Sequence, residues 1–391
     1  MKFIEDKIES VRPLFEKGGK FEKLYPLFEA KETFLLTPAD VTKAAPHVRD
    51  ALDMKRLMSI VVLAILPCFL IGTYNTGLQA LNAQGAPAGV LACILTGLRA
   101  VLPIVVVSYA VGGLWEVLFA LVRRHEINEG FLVTGLLFPL TLPPSIPLWM
   151  VAAGISFGVV LGKEIFGGTG MNVLNPALTA RAFVFFAYPA AMSGEKVWRA
   201  VDGFSGATAL GTAALAGPDP VSAIQSTGIT LRDAFLGTIP GSIGEGSAIA
   251  CALGAFILIA TGIGSWRIML SCLIGALGMA TFINAVAGPQ SAGIMHLPPI
   301  WHIFLGGFMF GTVYMATDPV SAAATRAGQW VYGLGIGMLC ILIRCVNPAY
   351  PEGMMLSILF LNILAPLIDY GALQMHFKTR AARRFRRARA Q

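Results

Sequence analysis

The chain has 391 residues, of which 55% are hydrophobic and only 13% are charged. A soluble globular domain usually carries about 25% charged residues, because its surface must be wetted. The mean hydropathy is +0.70 and the formal net charge is +7. These values exclude an ordinary soluble protein and predict an integral membrane protein whose solvent is the bilayer.

Residues 1–56 are polar and rich in Lys and Glu. They precede the first apolar run, so they do not have the pattern of a signal peptide. Two interpretations stay open. The pattern favours a solvated, partly helical extension on the membrane face; the alternative is an arm that closes a site at that face. The aromatic residues interleaved with its lysines are Phe15, Phe21, Tyr25, Phe28 and Phe34.

Ten apolar runs follow, and they predict an all-α polytopic membrane protein with about ten transmembrane helices. Several runs are shorter than the roughly 20 residues that a straight span needs. Prolines interrupt the third and fourth runs, and Asp318-Pro319 ends the eighth. Such broken helices are tolerated at membrane depth where they line a protein-enclosed cavity. The runs are 57–74, 101–122, 130–142, 146–165, 172–190, 247–263, 267–287, 301–316, 328–345 and 353–371.

Part of the chain repeats. Gly135 recurs as Gly307, and the Asn-Pro-Ala tripeptide at Asn175 recurs at Asn347, both at an offset of 172 residues. Five helices per repeat is an odd number, so the second repeat enters the membrane from the opposite side. The sequence therefore predicts two inverted five-helix repeats, a transporter-like arrangement with its special site at the repeat interface.

Basic residues orient the helices. The tail after the last run carries Lys and Arg and no acid. Nucleic-acid binding is one interpretation, but a basic run directly after an apolar helix is typical of a cytoplasmic topology anchor. Both termini are therefore expected to be cytoplasmic. The predicted organisation is a cytoplasmic N-terminal arm (1–56), a first five-helix half (57–190), an extracytoplasmic loop (191–246), a second five-helix half (247–373) and a basic cytoplasmic tail (374–391).

The loop contains a run of small residues from Asp202 to Leu210. From the residues alone this is an ordinary turn, and the alternative is that the Thr208 hydroxyl accepts a phosphoester. The run matches the flavinylation motif of a known family, in which an acidic residue is followed by Ser-Gly-Ala-Thr. Over essentially its whole length, the chain resembles the B subunits of sodium-translocating NADH:quinone oxidoreductases.

The nearest alternative is the related D subunit of Rnf ferredoxin:NAD oxidoreductases. It shares the membrane core and the flavinylated threonine, but it generally lacks the long N-terminal arm that this chain has. The arm therefore favours the B-subunit resemblance.

The resemblance implies several cofactors and partners. FMN would be joined covalently to Thr208 by a separate flavin transferase, within a motif that includes Asp202, Ser205, Gly206 and Ala207. A noncovalent riboflavin, ubiquinone as substrate and transported Na⁺ are also implied. So are partner subunits, one of which oxidises NADH, contact with membrane lipid, no nucleic acid, and a place in the bacterial inner membrane.

Two pairs of residues have a structural and a functional interpretation. Gly112 and Gly113 match the glycine pair that the family uses near quinone, although paired glycines also serve helix packing. Asn172 and Asn175 match the neighbourhood of the family's riboflavin, although they also suit a helix N-cap and a pre-proline turn. Both interpretations stay open for each pair.

Three carboxylates lie in or beside apolar helices, where an isolated charge is costly and is by default a functional candidate. The resemblance implies that Glu116 and Asp369 take part in cation uptake, and the repeat adds Asp318. Each can instead be a helix-end charge that reaches water. Arg181 and Arg344 are candidate structural counter-ions.

The sequence has no motif for a zinc, iron–sulfur or dinucleotide site. No Cys-x-x-Cys occurs, so neither a zinc nor an iron–sulfur site is indicated. The glycines at 167–170 lack the strand–helix context of a dinucleotide site. A flavin-free channel or transporter for a small solute is the alternative from a different functional class, because the inverted repeat alone supports it equally well.

Overall fold

The protein is described here from a computed structural model. It describes residues 8–16, 18–26, 28–29, 32, 36, 44–45, 53–123, 127, 129–194, 197–201, 206–347, 350 and 352–390, with the side chains up to residue 380 except that of Lys23. Of the residues singled out above, Phe34, Asp202 and Ser205 lie outside these ranges. Within them the regular structure is helical and contains no strand.

The first five core helices match the first five apolar runs. Six helices of the described chain are long and apolar enough to cross a membrane, and three more are apolar but shorter. The chain is therefore a polytopic membrane protein, as its hydropathy predicts. The helices are α1 Met54–Ala83, α2 Val90–Arg123, α3 Gly130–Leu140, α4 Leu148–Val160 and α5 Pro176–Ala187.

The second half repeats this order after a loop that contains short helices. Its core helices are α6 Ala248–Ala260, α7 Trp266–Val286, α8 Pro299–Phe304, α9 Arg326–Val346 and α10 Met354–Ala390. A short helix at Phe308–Phe310 and a π-helical turn at Gly311–Met315 continue the line of α8. The loop helices are Pro189–Met192, Ala209–Leu215, Pro220–Ser226 and Leu231–Leu236.

The eighth run breaks earlier than its Asp318-Pro319 end. Gly306 adopts a φ of 66°, which interrupts the helix after Phe304. The backbone carbonyls that lose their helical partners at this break still accept hydrogen bonds. The Arg344 guanidinium donates to His302 O at 2.5 Å and to Leu305 O at 3.0 Å. A fully buried arginine from α9 thus makes a broken helix tolerable inside the protein.

Packing inside the two halves is alike. Helix α2 packs on α4 and α4 on α5; in the second half α7 packs on α9 and α9 on α10. The halves meet through equivalent helices, since α1 packs on α6 and α5 packs on α10. Paired equivalent elements are the arrangement that a two-fold repeat produces.

The equivalent helices run in opposite directions. On the α1–α6 contact, Gly254 faces the carbonyl of Ala64, the Sγ atoms of Cys68 and Cys251 lie 3.7 Å apart, and Gly72 lies against Ile243. Residue numbers rise along α1 while they fall along its partner. This antiparallel contact is the geometry that the inverted repeat predicts.

Part of the long loop enters the core. Asn75 donates to Ile239 O at 2.8 Å and Gln79 donates to Thr238 O at 2.9 Å, both from buried positions on α1. The backbone amide of Gly244 donates to Leu140 O at 2.7 Å, at the end of α3. Residues 238–246 therefore lie between helices, where the protein satisfies their backbone groups.

Candidate functional site

Thr208 begins a short helix in the loop. It is the N-cap of Ala209–Leu215, and its Oγ1 accepts a hydrogen bond from the Gly211 amide at 3.1 Å. Gly206, Ala207 and Thr208 are each half-buried. The hydroxyl oxygen is thus fixed in place while the turn before it stays partly open. An esterified Oγ1 keeps a lone pair for the cap, so the position suits a phosphoester.

A pocket lies beside Thr208, lined also by Ser242, Glu245, Gly306 and Glu352. Its residues come from the loop, from the segment before α6, from the α8 break and from the segment before α10. Its wall therefore combines residues of the loop with residues of the second half.

A buried ionic cluster forms one wall of this pocket. Arg181 of α5 donates to both carboxylate oxygens of Glu245, at 3.1 and 3.4 Å, and it also pairs with Glu352. Arg181 and Glu245 are 4% and 5% exposed. The sequence raised Arg181 as a counter-ion, and the structure supplies its two acids. Neither acid was predicted, because both are distant from Arg181 in the chain and lie in loop segments.

A second cavity lies at the other ends of α5 and α6. Asn172, Asn175 and Asp318 line it together, as does Lys163. The space between its walls is about 760 Å³, part of it open to the outside, and apolar side chains such as Val61 form most of the remaining wall. The structure thus brings Asp318 together with the asparagine pair, which the sequence proposed separately from it. A mostly apolar cavity with a few polar groups suits a flat, neutral, amphipathic ring system.

The two asparagines also hold the chain locally. Asn175 Oδ1 accepts from the amides of Ala177 at 3.0 Å and Leu178 at 3.2 Å, which makes it the N-cap of α5. Asn172 Nδ2 donates to Leu174 O at 3.0 Å. Asn175 is therefore a helix N-cap, as one interpretation predicted. It also lines the cavity, so the binding interpretation stays a prediction.

Glu116 faces a lysine that the sequence did not single out. Lys163 Nζ lies 2.5 Å from Glu116 Oε1, and the two side chains are 3% and 7% exposed. Next to this pair, Arg123 donates to Glu164 Oε2 at 3.2 Å. Glu116 is thus a buried member of an ion pair at the cavity rather than a charge that reaches water. The pair could not be found from spacing, since its members lie on α2 and after α4.

The remaining carboxylates lie near the start of α9. Asp318 Oδ2 accepts from Ser321 Oγ at 2.7 Å, so it organises the turn after the π-helical segment. Asp369 of α10 accepts from the amides of Ala324 at 2.7 Å and Thr325 at 2.9 Å. Asp369 therefore anchors the start of α9, and it does not line the cavity that holds Asp318.

The glycine pair on α2 divides into two roles. Gly112 is buried against the Phe131 ring and Ile155, so a side chain there would collide. At Gly113 an added Cβ would meet only Phe131 Cε1, at 3.8 Å. Gly112 therefore serves helix packing, as one interpretation predicted. Gly113 has room for a Cβ, with only the Phe131 ring within 4 Å.

The described part of the N-terminal arm contacts the first turn of α1. Lys55 Nζ lies 3.7 Å from Glu29 of the arm and 3.0 Å from Glu129 before α3. Phe15 stacks on Phe28 with ring centroids 4.9 Å apart. The arm therefore lies at the end of the bundle where Leu57 begins the cavity wall.

Comparison with known proteins assigns the family. Residues 41–378 match the model of the NQR2, RnfD, RnfE family. The chain belongs to this family. It is 52% identical to the B subunit of the Na(+)-translocating NADH-quinone reductase of Azotobacter vinelandii and 51% identical to that of Pseudomonas aeruginosa (strain LESB58). It is 49% identical to the protein of the same name from Klebsiella pneumoniae. Each comparison covers 96% of this chain and 98% of the relative.

Proposed function

We propose that this chain is a B-type membrane subunit of a redox-driven sodium pump. Electrons would pass from covalent FMN on Thr208, through riboflavin, to ubiquinone, coupled to movement of Na⁺ across the membrane. The observation that carries this proposal is the near-complete match to relatives named as the B subunits of Na(+)-translocating reductases. NADH would be oxidised on a partner subunit.

The proposed roles combine the family resemblance with the geometry of the two sites. Thr208 would provide the phosphoester oxygen, after modification by a flavin transferase. Asn172 and Asn175 would hold the second flavin in the cavity that they line with Asp318. The flavins supply the redox chemistry, and the protein supplies position, burial and charge balance.

Buried charges favour coupling to a cation. Electron transfer into a low-dielectric interior adds negative charge, which is costly without compensation. Glu116, Asp318 and Asp369 all lie toward the end of the bundle where α9 begins, and we propose them as the entry to the ion path. The cation would be taken up from the side of the N-terminal arm.

The proposed orientation puts both termini and this cavity on the cytoplasmic side of a bacterial inner membrane. Thr208 would then face the extracytoplasmic side. The excess of Lys and Arg near the tail supports this orientation.

In-gel fluorescence tests the covalent flavin. In a host that contains the flavin transferase, the denatured wild-type band should fluoresce as a flavin. The band of Thr208→Val should be dark. Thr208→Asn should be dark as well, although asparagine preserves a good N-cap, and this separates flavin attachment from helix capping. Thr212→Val, on the same short helix, should stay fluorescent; a dark wild-type band would overturn the attachment.

Quinone kinetics test the position of the substrate. Gly113→Val fills open space beside Phe131 without a backbone clash, so the protein should fold and keep its fluorescent band. Quinone reduction should become slower, with the larger change in KM if the side chain occupies the quinone's place. Gly278→Val is the matched control on an exposed face of α7. Unchanged quinone kinetics in Gly113→Val would show that the quinone binds elsewhere.

The same gel separates this proposal from a flavin-free protein, whereas the comparisons bear on the second alternative. A flavin-free channel or transporter gives a dark wild-type band. A D-type subunit of an Rnf complex would also fluoresce, but the relatives at 49–52% identity cover 96% of the chain, more than the family match at 41–378. That coverage includes much of the N-terminal arm and favours the B-type subunit.

A further inference from the structure

Aromatic and basic side chains mark the end of the bundle where α7 and α9 begin. Trp266 and Trp330 are both exposed and lie edge to face, with ring centroids 5.9 Å apart. The Arg267 guanidinium lies 5.0 Å from the centre of the Trp266 ring. Exposed tryptophans beside arginines are typical of the level at which the hydrocarbon of a bilayer meets the lipid headgroups. We therefore expect this end of the bundle to lie at that level.

Helix α10 continues past this level as a basic helix. Its apolar run ends at residue 371, but the helix itself continues to Ala390. The turns directly after the run carry His376, Lys378 and Arg380 and no acid, and all three side chains are exposed. Basic residues directly after a membrane span lie within reach of lipid phosphates.

A groove separates this part of α10 from the start of α9. We call it the α9–α10 groove; it encloses about 870 Å³ and is open to the outside. His376 and Arg380 lie one turn apart on its α10 wall, whereas Lys378 does not line it. Within the part of the chain that the structure describes, neither of these two forms an ion pair. The preceding acid on α10, Asp369, accepts from amides at the start of α9. The lining residues are Ala327, Ala372, Met375, His376, Thr379 and Arg380.

An apolar surface leads from this groove along α9. Ala327 lines the groove, and Val331, Leu334, Met338 and Leu342 follow it at spacings of three and four residues, which place all five on one face of the helix. All five are exposed. A basic groove that adjoins an apolar face is complementary to a molecule with an anionic head and an apolar chain. A soluble anion would use the groove alone, so the apolar face favours a lipid.

We propose that the α9–α10 groove binds an anionic phospholipid of the surrounding membrane. Its phosphate accepts hydrogen bonds from the Arg380 guanidinium and the His376 imidazole, and one acyl chain lies along the apolar face of α9. The bound lipid joins α9 to α10 at the end where Asp369 already connects them. This inference goes beyond the proposed function and does not depend on a flavin.

Two substitutions change the groove in different ways. Arg380→Gln removes its permanent positive charge, and Ala327→Phe fills it without changing any charge. Lys378→Gln is the matched control for the first, because it removes one exposed positive charge from the same helix outside the groove. Gly278→Phe is the control for the second, on an exposed face of α7. All four positions are exposed, so each variant should fold and elute like the wild type.

Native mass spectrometry of the detergent-purified full chain measures the bound lipid. The chain is titrated with dioleoyl phosphatidylglycerol, and dioleoyl phosphatidylcholine, which has the same chains and a zwitterionic head, is the comparison lipid. The wild type should bind the anionic lipid more tightly. Arg380→Gln should bind it about fivefold more weakly, the factor that the loss of one surface charge contact gives. Ala327→Phe should also bind it more weakly, and both controls should keep the wild-type affinity.

Several results would overturn the proposal. Equal weakening in Arg380→Gln and Lys378→Gln would indicate general attraction to a basic helix rather than binding in the groove. Displacement of the lipid by an equal concentration of glycerol phosphate, which has the anionic head without chains, would assign the groove to a soluble anion. Wild-type affinity in Ala327→Phe would place the lipid elsewhere.

Two further measurements separate this site from other occupants and from the flavin. The chain purified together with its partner subunits should still carry the anionic lipid; loss of the lipid there would mean that a protein segment covers the groove, and would overturn the proposal. Thr208→Val should bind the lipid like the wild type. Failure of the lipid site and failure of flavin attachment are therefore distinguishable results.

Discussion

Buried charges in this chain come with partners that lie far away in the sequence. Lys163 and Glu116 form an ion pair at the cavity, with both side chains less than a tenth exposed. Taking the two charges out of water is expensive, and their attraction offsets that cost only while both are present. The pair is therefore worth little as a source of stability, yet costly to break.

Lys163→Met should destabilise the protein strongly. It leaves the Glu116 carboxylate without its buried cation, a loss of about 3–5 kcal/mol for pairs of this kind. The double variant Glu116→Gln/Lys163→Met removes both charges and should regain most of that loss. Thermal unfolding in detergent, followed by size-exclusion of the folded fraction, measures both. A double variant as unstable as Lys163→Met would show that the charges are not paired in this way.

The residues whose roles could be predicted from the sequence are those whose roles depend on their neighbours in the chain. The N-cap role of Asn175 follows from its position before a proline at a helix start. The contiguous motif at Thr208 predicts flavin attachment, which stays a prediction. Lys163, Glu245 and Glu352 could not be found in this way, because each becomes meaningful only when folding brings a distant partner to it. Asp369 likewise accepts from the Ala324 and Thr325 amides and from the Thr325 hydroxyl, at the start of a helix distant in the chain.

Helices in the core cross at glycines. Gly254 on α6 lies against the Ala64 carbonyl of α1, and Tyr314 donates to that same carbonyl at 2.8 Å. A methyl group at Gly254 would come within 2.6 Å of the Ala64 oxygen, which is backbone and cannot turn away. Small residues let membrane helices approach this closely. This crossing joins the two halves of the protein.

Gly254→Ala should therefore separate α1 from α6. Overpacking of a tight site typically costs about 1–3 kcal/mol, and a clash with backbone lies at the upper end. Gly278→Ala on α7 is the matched control, because it is exposed and nothing lies within 4 Å of the added Cβ. The yield of monodisperse protein after heating should fall for Gly254→Ala and stay at the wild-type level for Gly278→Ala. Equal yields would mean that α1 and α6 do not cross here.

Hydropathy was sufficient to predict where the helices lie but not where they are interrupted. All ten apolar runs overlap core helices, since an apolar run of this length has no other stable place in a bilayer. The break after Phe304 was not predicted. It depends on the positive φ of Gly306 and on the distant Arg344, and a glycine pair in an apolar run is also compatible with an unbroken helix.

At the scale of the whole molecule, the two halves meet in antiparallel pairs and leave two sites at opposite ends. The Thr208 pocket lies where α6 and α10 begin, and the second cavity lies where α5 begins and α6 ends. An inverted repeat produces this pattern, because its two-fold axis exchanges the two faces of the membrane. In the proposed function, electron transfer between the two sites would run along α6.

Labelling of single cysteines tests this orientation. The six native cysteines are all buried, so the wild-type chain provides a low background. Leu215→Cys adds a thiol at an 82% exposed position in the Thr208 loop, and Met375→Cys adds one at a 63% exposed position on α10, just beyond the apolar run 353–371. In intact cells a membrane-impermeant maleimide should label Leu215→Cys. Met375→Cys should react only after the membrane is permeabilised.

The two positions control for each other, because both are exposed and both lie in helical segments. Reversed labelling would place Thr208 on the cytoplasmic side, and the proposed direction of electron and ion movement would have to be inverted. Labelling of both thiols in intact cells would put them on one side of the membrane, which requires an even number of crossings between them. The predicted second half has five crossings, an odd number, so that result would contradict this prediction and with it the inverted repeat.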